Sequence, residues 1–345
     1  MARTRVGIIN VTGYAGSELA RLLYGHSEVE VVGVTGRSQA GKQLPEALPY
    51  LWQIDLPVTP ALDMPVDIVF SSLPSGASAA ALAPFVRAGV PAIDIAADFR
   101  LRDAVEFGAW YGVEHPAPEL IPSAIYGLPE LHRAELVRTK LVANPGCYAT
   151  AAILALAPAI RGGIVGEQVI IDAKSGISGA GRGGTDGANA LDLYGEANEN
   201  LLAYRLEGHG HLPEIVQELA ALREAPKPNV TFVPHRVPMT RGILATCYAD
   251  LASDLTTEQV RALYRDFYAN EPFVRVTDAP PQTKHTTGTN MCLVHPAVDT
   301  RARRLIVLSC IDNLVKGAAG QAIQNMNLML GLPETMGLDR TALYP

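Results

Sequence analysis

The chain has 345 residues, of which 48% are hydrophobic, and this is enough to bury two packed cores. A disordered or fibrous protein is therefore excluded. The formal net charge is −7, so the chain has no overall positive field that would attract nucleic acid or an anionic membrane. We expect neither as a partner, and we expect an anionic substrate to be bound by local groups.

The N-terminal residues and the cysteines indicate a soluble cytoplasmic protein. Residues 1–10 run directly into an apolar strand-like segment without the features of a signal peptide, and no apolar run is long enough for a membrane span. The cysteines are widely spaced and match neither a disulfide framework nor a zinc pattern. These four residues are Cys147, Cys247, Cys292 and Cys310. We therefore predict that the protein holds no metal.

The first third of the chain alternates β-rich runs with runs of helical period, as repeated βαβ units do. The strands are apolar along nearly their whole length, which is typical of a parallel sheet covered on both faces. This pattern predicts a Rossmann-type domain over residues 1–147. The predicted strands are 6–10, 29–35, 66–74 and 90–96, and the predicted helices are 17–26 and 77–89.

The loop between the first strand and the first helix has the form of a dinucleotide-binding turn. Asn10 replaces the usual first glycine, and asparagine tolerates the positive φ that such a turn can require. Glycines further along the loop allow the backbone to approach a pyrophosphate at the helix N-terminus. The alternative is that they only close a βα turn. The predicted cofactor residues of this loop are Thr12, Gly13, Tyr14, Ala15 and Gly16.

The end of the second strand indicates which cofactor is bound. An NAD site normally has an acidic residue there, which accepts a hydrogen bond from the ribose. This chain has Arg37 and Ser38 instead, and a guanidinium with a hydroxyl suits a 2′-phosphate. We therefore predict NADP(H). The alternative for Arg37 is a solvated surface charge.

From residue 148 the pattern changes to strands grouped together without a helix after each one. Such grouping predicts an α+β domain with a largely antiparallel sheet. A helix is predicted over 148–160 and another over 316–330, and strands are predicted at 167–175, 229–237, 242–251 and 303–311.

Cys147 stands at the start of the predicted helix 148–160. Backbone N–H groups and the helix dipole at that position favour the reactive thiolate over the thiol. Cys247 and Cys310 lie in apolar strand-like runs and are predicted to be small buried residues, and Cys292 has no obvious activating neighbour. Cys147 is therefore the candidate nucleophile.

Two alternate histidines, His209 and His211, precede a helix-like run. Either can serve as the base for the Cys147 thiol if the fold brings them together, and the other is then a structural histidine. The glycine-rich segment 174–182 follows a predicted strand and would let a planar ring or an anion lie against the backbone. The alternative for this segment is a flexible lid without ligand contact.

Several strings, in one order along nearly the whole chain, resemble the N-acetyl-γ-glutamyl-phosphate reductase family of the aspartate-semialdehyde dehydrogenase-like group. These strings are TGYAG (12–16), IDIAADFR (93–100), YGLPEL (126–131), NPGCYAT (144–150), KSGISGAGR (174–182), HLPE (211–214), PMTRGILAT (238–246) and DNLVKGAAGQAIQNMN (312–327). Together they are far more specific than any one alone.

The resemblance implies a role for each matching residue. Cys147 matches the thiol nucleophile and His209 the acid/base histidine, while Asn313 is expected near the nicotinamide. Further implied cofactor residues are Leu73, Pro74, Ser175, Gly176 and Gly179. Implied substrate residues are Asn144, His211, Glu214 and Arg241.

The resemblance also implies the architecture of both domains. The second domain, residues 148–315, is expected to be of the glyceraldehyde-3-phosphate dehydrogenase C-terminal type, and to carry the catalytic residues and the oligomer contacts. The helical tail 316–345 is expected to complete the NADP-binding domain. A homo-dimer or homo-tetramer is expected to form through the sheet of the second domain.

This chain departs from the family pattern at three positions. Asn10 replaces a glycine, Ser75 replaces a common histidine after Leu73-Pro74, and Gly210 replaces the arginine between the two histidines. The last change removes a positive charge beside the expected base, so substrate preference can differ from the family pattern.

The resemblance implies a reductase of arginine biosynthesis that converts N-acetyl-L-glutamyl 5-phosphate to the semialdehyde through a cysteine thioester. A thiolate attacks an acyl phosphate readily and also leaves readily from a thiohemiacetal. One alternative is the homologous reductase of lysine biosynthesis, whose aminoadipyl substrate is carried on an acidic protein. A second is a non-catalytic NADPH-binding regulator, and a third is chemistry of the glyceraldehyde-3-phosphate dehydrogenase type.

Overall fold

The computed structural model describes residues 2–182, 193–224 and 227–344, which form two compact units. The first unit contains residues 2–146, 181–182 and 318–339. The second unit contains residues 147–180, 193–224, 227–317 and 340–344.

This division differs from the predicted domain boundaries at four places. Cys147, residues 316–317 and residues 340–344 belong to the second unit, whereas residues 181–182 belong to the first. Cys147 belongs to the second unit because it is the first residue of a helix that packs there. Residues 1, 183–192, 225–226 and 345 of the predicted domains lie outside the described residues.

A seven-stranded sheet, parallel throughout, forms the centre of the first unit. Its strands are β1 Thr4–Ile9, β2 Val29–Thr35, β3 Val58–Thr59, β4 Ile68–Ser71, β5 Ala92–Asp94, β6 Ala124–Tyr126 and β7 Leu141–Ala143. They lie in the order β3-β2-β1-β4-β5-β7-β6. The strand order therefore reverses between β1 and β4, and ligands of such sheets bind outside the carboxyl ends of the strands at this point.

Helices connect these strands and cover the sheet. They are α1 Tyr14–Tyr24, α2 Leu44–Ala47, α3 Ser78–Arg87, α4 Ala104–Tyr111 and α5 Pro129–Leu136, joined by α10 Gly320–Met329 from the end of the chain. Helix α10 packs on α1 and α5, and its Asn327 Oδ1 accepts a hydrogen bond from Nε2 of the buried His26 imidazole at 3.0 Å. Helix α10 therefore packs in the first unit.

The second unit contains a mixed sheet of seven strands in which four of the six neighbouring pairs are antiparallel. Its strands are β8 Val165–Gly176, β9 Leu202–Ala203, β10 Asn229–Val237, β11 Ile243–Leu251, β12 Val274–Val276, β13 Cys292–Asp299 and β14 Arg304–Ile311. Their order is β12-β13-β14-β11-β8-β10-β9. The prediction of a largely antiparallel second sheet is confirmed.

One face of this second sheet is covered by helices. The helices of the unit are α6 Cys147–Arg161, α7 Leu193–Ala197, α8 His211–Ala220 and α9 Thr257–Phe267. Helix α6 lies against β8, β11, β13 and β14, and every residue from Tyr148 to Ile160 is buried. This largely apolar helix is the centre of the second core, and it fixes the position of its own first residue, Cys147.

Within the part of the chain that the structure describes, no helix combines the length and the apolar character needed to cross a bilayer.

Candidate active site

The turn after β1 contains the predicted dinucleotide loop. Asn10 lies in the left-handed region at φ 66°, as expected for a residue that replaces glycine there. Its backbone N–H donates to Thr35 Oγ1 at 3.1 Å, and its Nδ2 donates to the Ser72 carbonyl at 2.8 Å. The asparagine side chain therefore holds the turn against the segment after β4 through a hydrogen bond that glycine could not make.

Two glycines of this loop have different surroundings. A Cβ at Gly16 would overlap the Asn10 carbonyl oxygen and lie 2.7 Å from Ser72 Oγ, so glycine is required for α1 to start this close to the strands. A Cβ at Gly13 would meet, among the described residues, only Asn10 Nδ2 at 3.6 Å. The backbone beside Gly13 is therefore open where α1 begins, and no side chain caps the helix. Open N–H groups at a helix N-terminus fit a pyrophosphate.

Side chains at the end of β2 and after β8 add positive charge near this loop. Thr12 lies close to Gly36, and the exposed Arg37 and Ser38 follow Gly36 directly. Arg182 is a neighbour that the sequence analysis did not identify. Its guanidinium carbon lies 5.3 Å from the centre of the Tyr14 ring. The guanidinium also donates a hydrogen bond to the Tyr50 hydroxyl at 2.8 Å. Such groups suit a phosphorylated nucleotide.

The predicted cofactor residues Leu73 and Pro74 lie in the loop after β4. This loop is held by Asp98, whose buried carboxylate accepts the N–H of Gly76 at 2.7 Å and the N–H of Ala79 at 2.8 Å. The IDIAADFR string therefore has a structural purpose at this edge of the sheet, because it fixes the neighbouring loop.

A second buried carboxyl group lies beside Asp98. Asp94, at the end of β5, accepts from Ser78 Oγ at 2.5 Å. Burial, together with the negative charge of Asp98, raises the pKa of Asp94 to about 7.

Cys147 is the first residue of α6 and is partly exposed. A π-helical turn, Val315–Ala319, packs directly against it, since a Cβ at Gly317 would lie only 2.7 Å from Cys147 Cβ. The Gly317 N–H donates to the Asp312 carbonyl at 3.0 Å. Cys147 thus lies at the start of a helix, and the backbone of the turn Val315–Ala319 packs against its Cβ.

His209 lies within a group of rings, here called the ring cluster. The ring centres of Tyr148, Tyr204 and Phe232 lie 5.6, 5.6 and 5.4 Å from that of His209, and all three rings meet it edge to face. The His211 ring centre is 4.7 Å away. These contacts restrict the imidazole to one orientation. Tyr148 adjoins Cys147 in sequence, whereas Tyr204 and Phe232 carried no sequence signal because they come from separate elements.

The hydrogen bond at His209 Nδ1 determines its tautomer. The His211 backbone N–H donates to this nitrogen at 3.1 Å. A nitrogen that accepts carries no proton, so the neutral ring has its proton on Nε2. His209 in this state is a hydrogen-bond donor through Nε2.

Two tyrosine hydroxyls of the ring cluster, one of them on the residue next to Cys147, are hydrogen-bonded to each other. Tyr204 donates to the Tyr148 hydroxyl at 3.3 Å, and Tyr148 donates to the His235 carbonyl at 2.9 Å. Burial is the main cause that raises the pKa of both phenols, and negative charge at Cys147 raises each pKa further. Both hydroxyls are therefore neutral, and Cys147 lies near enough to influence them. The structure thus brings Cys147 and His209 into one neighbourhood.

The predicted glycine-rich segment also meets Asn313. Asn313 Nδ2 donates to Ser178 Oγ at 3.0 Å, and its Oδ1 accepts the Gly242 N–H at 2.8 Å. A Cβ at Gly179 would lie 3.0 Å from Ser175 Oγ and 3.7 Å from Asn313 Nδ2. The predicted cofactor residues Ser175, Gly179 and Asn313 therefore converge.

Gly176 differs from the expectation of an open backbone. A Cβ there would lie 2.8 Å from the backbone of Met239 and Thr240, and the Gly176 N–H donates to the Gly242 carbonyl at 2.9 Å. The space beside Gly176 is filled by the neighbouring segment. The absence of a side chain at residue 176 allows two backbone segments to pack closely, and no ring can lie on that side.

Asn144, a predicted substrate residue, is fully buried in the first unit. Its Nδ2 donates to the Ala318 carbonyl at 3.1 Å, its Oδ1 accepts from Asn325 Nδ2 at 3.1 Å, and its carbonyl accepts from Arg100 Nε at 2.8 Å. These bonds order the segment that precedes Cys147. A substrate contact by Asn144 stays a prediction.

The other predicted substrate residues lie in the second unit. His211 begins α8, and its Nε2 is 3.9 Å from Oε1 of the fully buried Glu214. Arg241 pairs with the buried carboxylate of Asp312 at 3.2 Å. The Arg241 charge is thus partly compensated within the fold.

The remaining cysteines are buried, as predicted for Cys247 and Cys310. Burial raises the pKa of the Cys247 thiol well above its usual range and raises that of Cys310 to about 12. Cys292 Sγ lies 3.4 Å from Ser309 Oγ. Thiols of this kind are unreactive, which leaves Cys147 as the accessible one.

The fold and this site define a class of protein, the semialdehyde dehydrogenases. The family model described as semialdehyde dehydrogenase, NAD binding domain, matches residues 5–139, and the one described as semialdehyde dehydrogenase, dimerisation domain, matches residues 147–313. Aspartate semialdehyde dehydrogenase II from Vibrio cholerae, complexed with ASA, shares the fold with a TM-score of 0.72 at 21% identity, over 96% of this chain and 99% of that one. Aspartate semialdehyde dehydrogenase with NADP from Candida albicans has a TM-score of 0.70 at 17% identity, over 95% and 99% of the two chains.

Relatives of known name make the assignment narrower. A protein of Dehalococcoides mccartyi named N-acetyl-gamma-glutamyl-phosphate reductase is 54% identical over 345 residues and covers 100% of both chains. Proteins of the same name from Symbiobacterium thermophilum and Heliobacterium modesticaldum are 51% and 48% identical and cover 99% of each chain. The chain belongs to the N-acetyl-γ-glutamyl-phosphate reductase family, whose members are oxidoreductases.

Substitution of Gly13 by alanine tests whether the open backbone after β1 holds the cofactor. Gly13 has φ −73°, which alanine adopts readily, so we expect only a small loss of stability. The added methyl group would occupy the open space, and because overpacking costs about 1–3 kcal/mol we expect NADPH to bind roughly tenfold or more weakly. The measurement is the dissociation constant from NADPH fluorescence titration, with the melting temperature recorded in parallel.

The matched control is Gly166→Ala, where a Cβ would meet only Asp250 O at 3.7 Å among the described residues. We expect unchanged NADPH affinity in that variant. Unchanged affinity in Gly13→Ala as well would show that the cofactor does not approach this loop.

Proposed function

We propose that the chain catalyses the NADPH-dependent reduction of N-acetyl-L-glutamyl 5-phosphate to N-acetyl-L-glutamate 5-semialdehyde, with release of phosphate, in the cytoplasm. The observation that carries this proposal is the partly exposed Cys147 at the start of α6, next to the ring cluster that orients His209. The names of relatives that match the whole chain support the choice of substrate.

Cys147 forms the covalent intermediate in this proposal. Its thiolate attacks the acyl carbon, the bond from carbon to the phosphate oxygen breaks, and the released phosphate takes a proton from solvent. The product is a thioester on Cys147 Sγ. NADPH, when bound, supplies the hydride that reduces this thioester. The resulting thiohemiacetal oxyanion collapses, the C–S bond breaks, and the aldehyde leaves with the thiolate restored.

His209 stabilises the oxyanion. In the tautomer set by the His211 N–H, its Nε2 carries the proton and can donate a hydrogen bond to the oxygen as negative charge develops. The expected role as base for the Cys147 thiol requires Nδ1 to be protonated and hence the bond from the His211 N–H to break. The hydrogen bond from the His211 N–H leaves the proton on Nε2. We therefore assign His209 the role of hydrogen-bond donor in the reduction step.

The proposed cofactor contacts are assigned within each unit by itself. In the first unit, the N–H groups from Gly13 to Gly16 hold the pyrophosphate, and Arg37 with Ser38 holds the 2′-phosphate. In the second unit, Ser175, Gly179 and Asn313 form a polar group for the nicotinamide half. The open backbone at Gly13 supports this assignment.

Replacement of Cys147 by serine tests the covalent route. A serine hydroxyl is a far weaker nucleophile than a thiolate at neutral pH, so we expect phosphate-dependent reduction of NADP by N-acetylglutamate semialdehyde to disappear. His209→Asn should keep measurable turnover, but roughly 10²–10⁴-fold slower, because proton-donating groups contribute about that much. The measurement is the initial rate, with NADPH affinity and melting temperature showing that both variants fold.

Near wild-type turnover in Cys147→Ser would contradict the thioester route. Wild-type protein that turns over only the aminoadipate semialdehyde, one methylene longer, would instead assign the chain to the lysine-type reaction. Binding of NADPH without turnover of either aldehyde would favour a regulator.

Arg37→Gln tests the choice of NADP over NAD. Arg37 is exposed at the end of β2, where the nucleotide ribose binds in this fold. Loss of a charge-assisted hydrogen bond to the 2′-phosphate should weaken NADPH binding by about 10- to 100-fold and leave NADH binding unchanged. Fluorescence titration with both nucleotides measures this. The control is Arg138→Gln, at an exposed arginine two residues after the end of α5, which should leave the affinity for both nucleotides unchanged. Equal losses of NADPH and NADH affinity in Arg37→Gln would place Arg37 away from the 2′-phosphate.

We propose that the protein forms a dimer through the face of the second sheet opposite to α6. Ile170 on β8 is 41% exposed, and its partners in the sheet register are Thr231 and Tyr248. Ile306, opposite Tyr248 on β14, extends this apolar row. The family model that matches this unit is described as a dimerisation domain, which supports the proposal.

Substitution of Ile170 by aspartate tests this interface. A charge in the middle of an apolar contact loses its hydration without gaining a partner, so we expect the oligomer to dissociate at micromolar concentration. Sedimentation velocity or light scattering gives the mass. Val137→Asp, at an apolar side chain of the first unit that is 51% exposed, should leave the mass unchanged. A wild-type protein of monomer mass, or an Ile170→Asp variant of unchanged mass, would overturn this proposal.

A further inference from the structure

A small cavity in the second unit has one wall residue, Arg236, whose guanidinium lies over the Tyr204 ring of the ring cluster. Its volume is about 70 Å³, which equals the share of liquid volume of roughly two water molecules. The walls include the apolar side chains of Ile177, Leu202 and Val237 and the polar side chains of Asn200 and Arg236. A cavity with apolar walls and two polar groups suits a small substituent that is polar at one end.

Arg236 connects this cavity with His209. It lies on β10, opposite Ser175 on β8 and Leu202 on β9. Its guanidinium carbon is 4.7 Å from the centre of the Tyr204 ring, which in turn lies 5.6 Å from the centre of the His209 ring. These two distances place the guanidinium within about 10 Å of the imidazole centre.

This separation agrees with the length of the substrate. In an N-acetylglutamyl thioester the carboxylate carbon is four single bonds from the reacting carbonyl carbon, roughly 5 Å when the chain is extended. A charge-assisted pair with a guanidinium adds roughly 3–4 Å. An α-carboxylate can therefore reach Arg236 while the acyl carbon stays beside the ring cluster.

We propose that Arg236 binds the α-carboxylate of the substrate and that the adjoining cavity holds its acetamido group. Asn200 offers an amide to the acetamido group, and Ile177 and Leu202 pack against its methyl. This inference rests on the proposed function and makes it more specific, because it assigns selectivity to the α-substituents. Arg236 then decides between aldehydes that have the α-carboxylate and aldehydes that lack it.

The test compares two aldehydes in the phosphate-dependent, NADP-reducing direction. N-acetylglutamate 5-semialdehyde has the α-carboxylate, and 4-acetamidobutanal is the same molecule without it. For wild-type protein we expect a higher kcat/KM with the first aldehyde. In Arg236→Leu we expect the ratio of the two kcat/KM values to fall by roughly 10- to 100-fold, the effect of losing a charge-assisted hydrogen bond. Arg236→Lys should restore part of the ratio.

The matched control is Arg275→Leu, the same change on β12, which lies at the opposite edge of the sheet from β9 and β10. We expect its ratio to equal that of the wild type. A loss of equal size with both aldehydes in Arg236→Leu, or an unchanged ratio, would overturn the assignment of Arg236. If the wild type turns over neither aldehyde, the proposed function itself fails, and this outcome is distinct from the other two.

Discussion

The position of the proposed nucleophile depends on the close contact between Gly317 and Cys147. A side chain at 317 would bring its Cβ to 2.7 Å from Cys147 Cβ, a distance that real Cβ atoms do not adopt. The π-helical turn can therefore lie against the start of α6 only because residue 317 is glycine. The partly exposed thiol is held by backbone packing from the segment after β14, at the start of a helix that is buried from Tyr148 to Ile160.

Asp312 holds this segment in place. Its buried carboxylate accepts the N–H groups of Leu314 and Gly288 at 2.8 and 2.7 Å and pairs with Arg241 at 3.2 Å. One side chain thus fixes the chain after β14, the loop before β13 and the arginine expected in the substrate site. The next residue, Asn313, meets the glycine-rich segment. The DNLVKG string is therefore better explained as a structural link between the nucleophile and the proposed nicotinamide contacts than as a set of independent ligands.

The sequence predicted those parts of the molecule that local patterns control. The parallel first sheet follows from apolar strands alternating with helices, and β2 and β10 have the predicted bounds at both ends. Asn10 has the positive φ that its place in the loop requires. Short strands such as β3 and β9, of two residues each, carry no periodicity and were not predicted. The ring cluster was missed for a related reason, because Tyr204 and Phe232 approach His209 only through the tertiary fold.

Gly176 shows how a correct motif can be given the wrong physical reason. The cluster of glycines predicts open backbone for a ligand, and the space beside Gly176 is in fact filled by the backbone of Met239 and Thr240. Sequence alone does not distinguish a glycine that admits a ligand from one that admits another segment. The two cases differ only in what lies within about 3 Å of the missing Cβ, and tertiary packing decides that.

The glycine between the two histidines can be understood in the same terms. Gly210 has φ −57° and ψ −15°, ordinary right-handed helical values, so its backbone does not require glycine. The arginine expected from the family pattern is therefore absent for a reason other than conformation. Arg236, from a strand that pairs with β8, places a guanidinium on the Tyr204 ring next to His209. The sheet thus supplies a guanidinium within about 10 Å of the imidazole centre, and strand pairing on both sides fixes the backbone of Arg236.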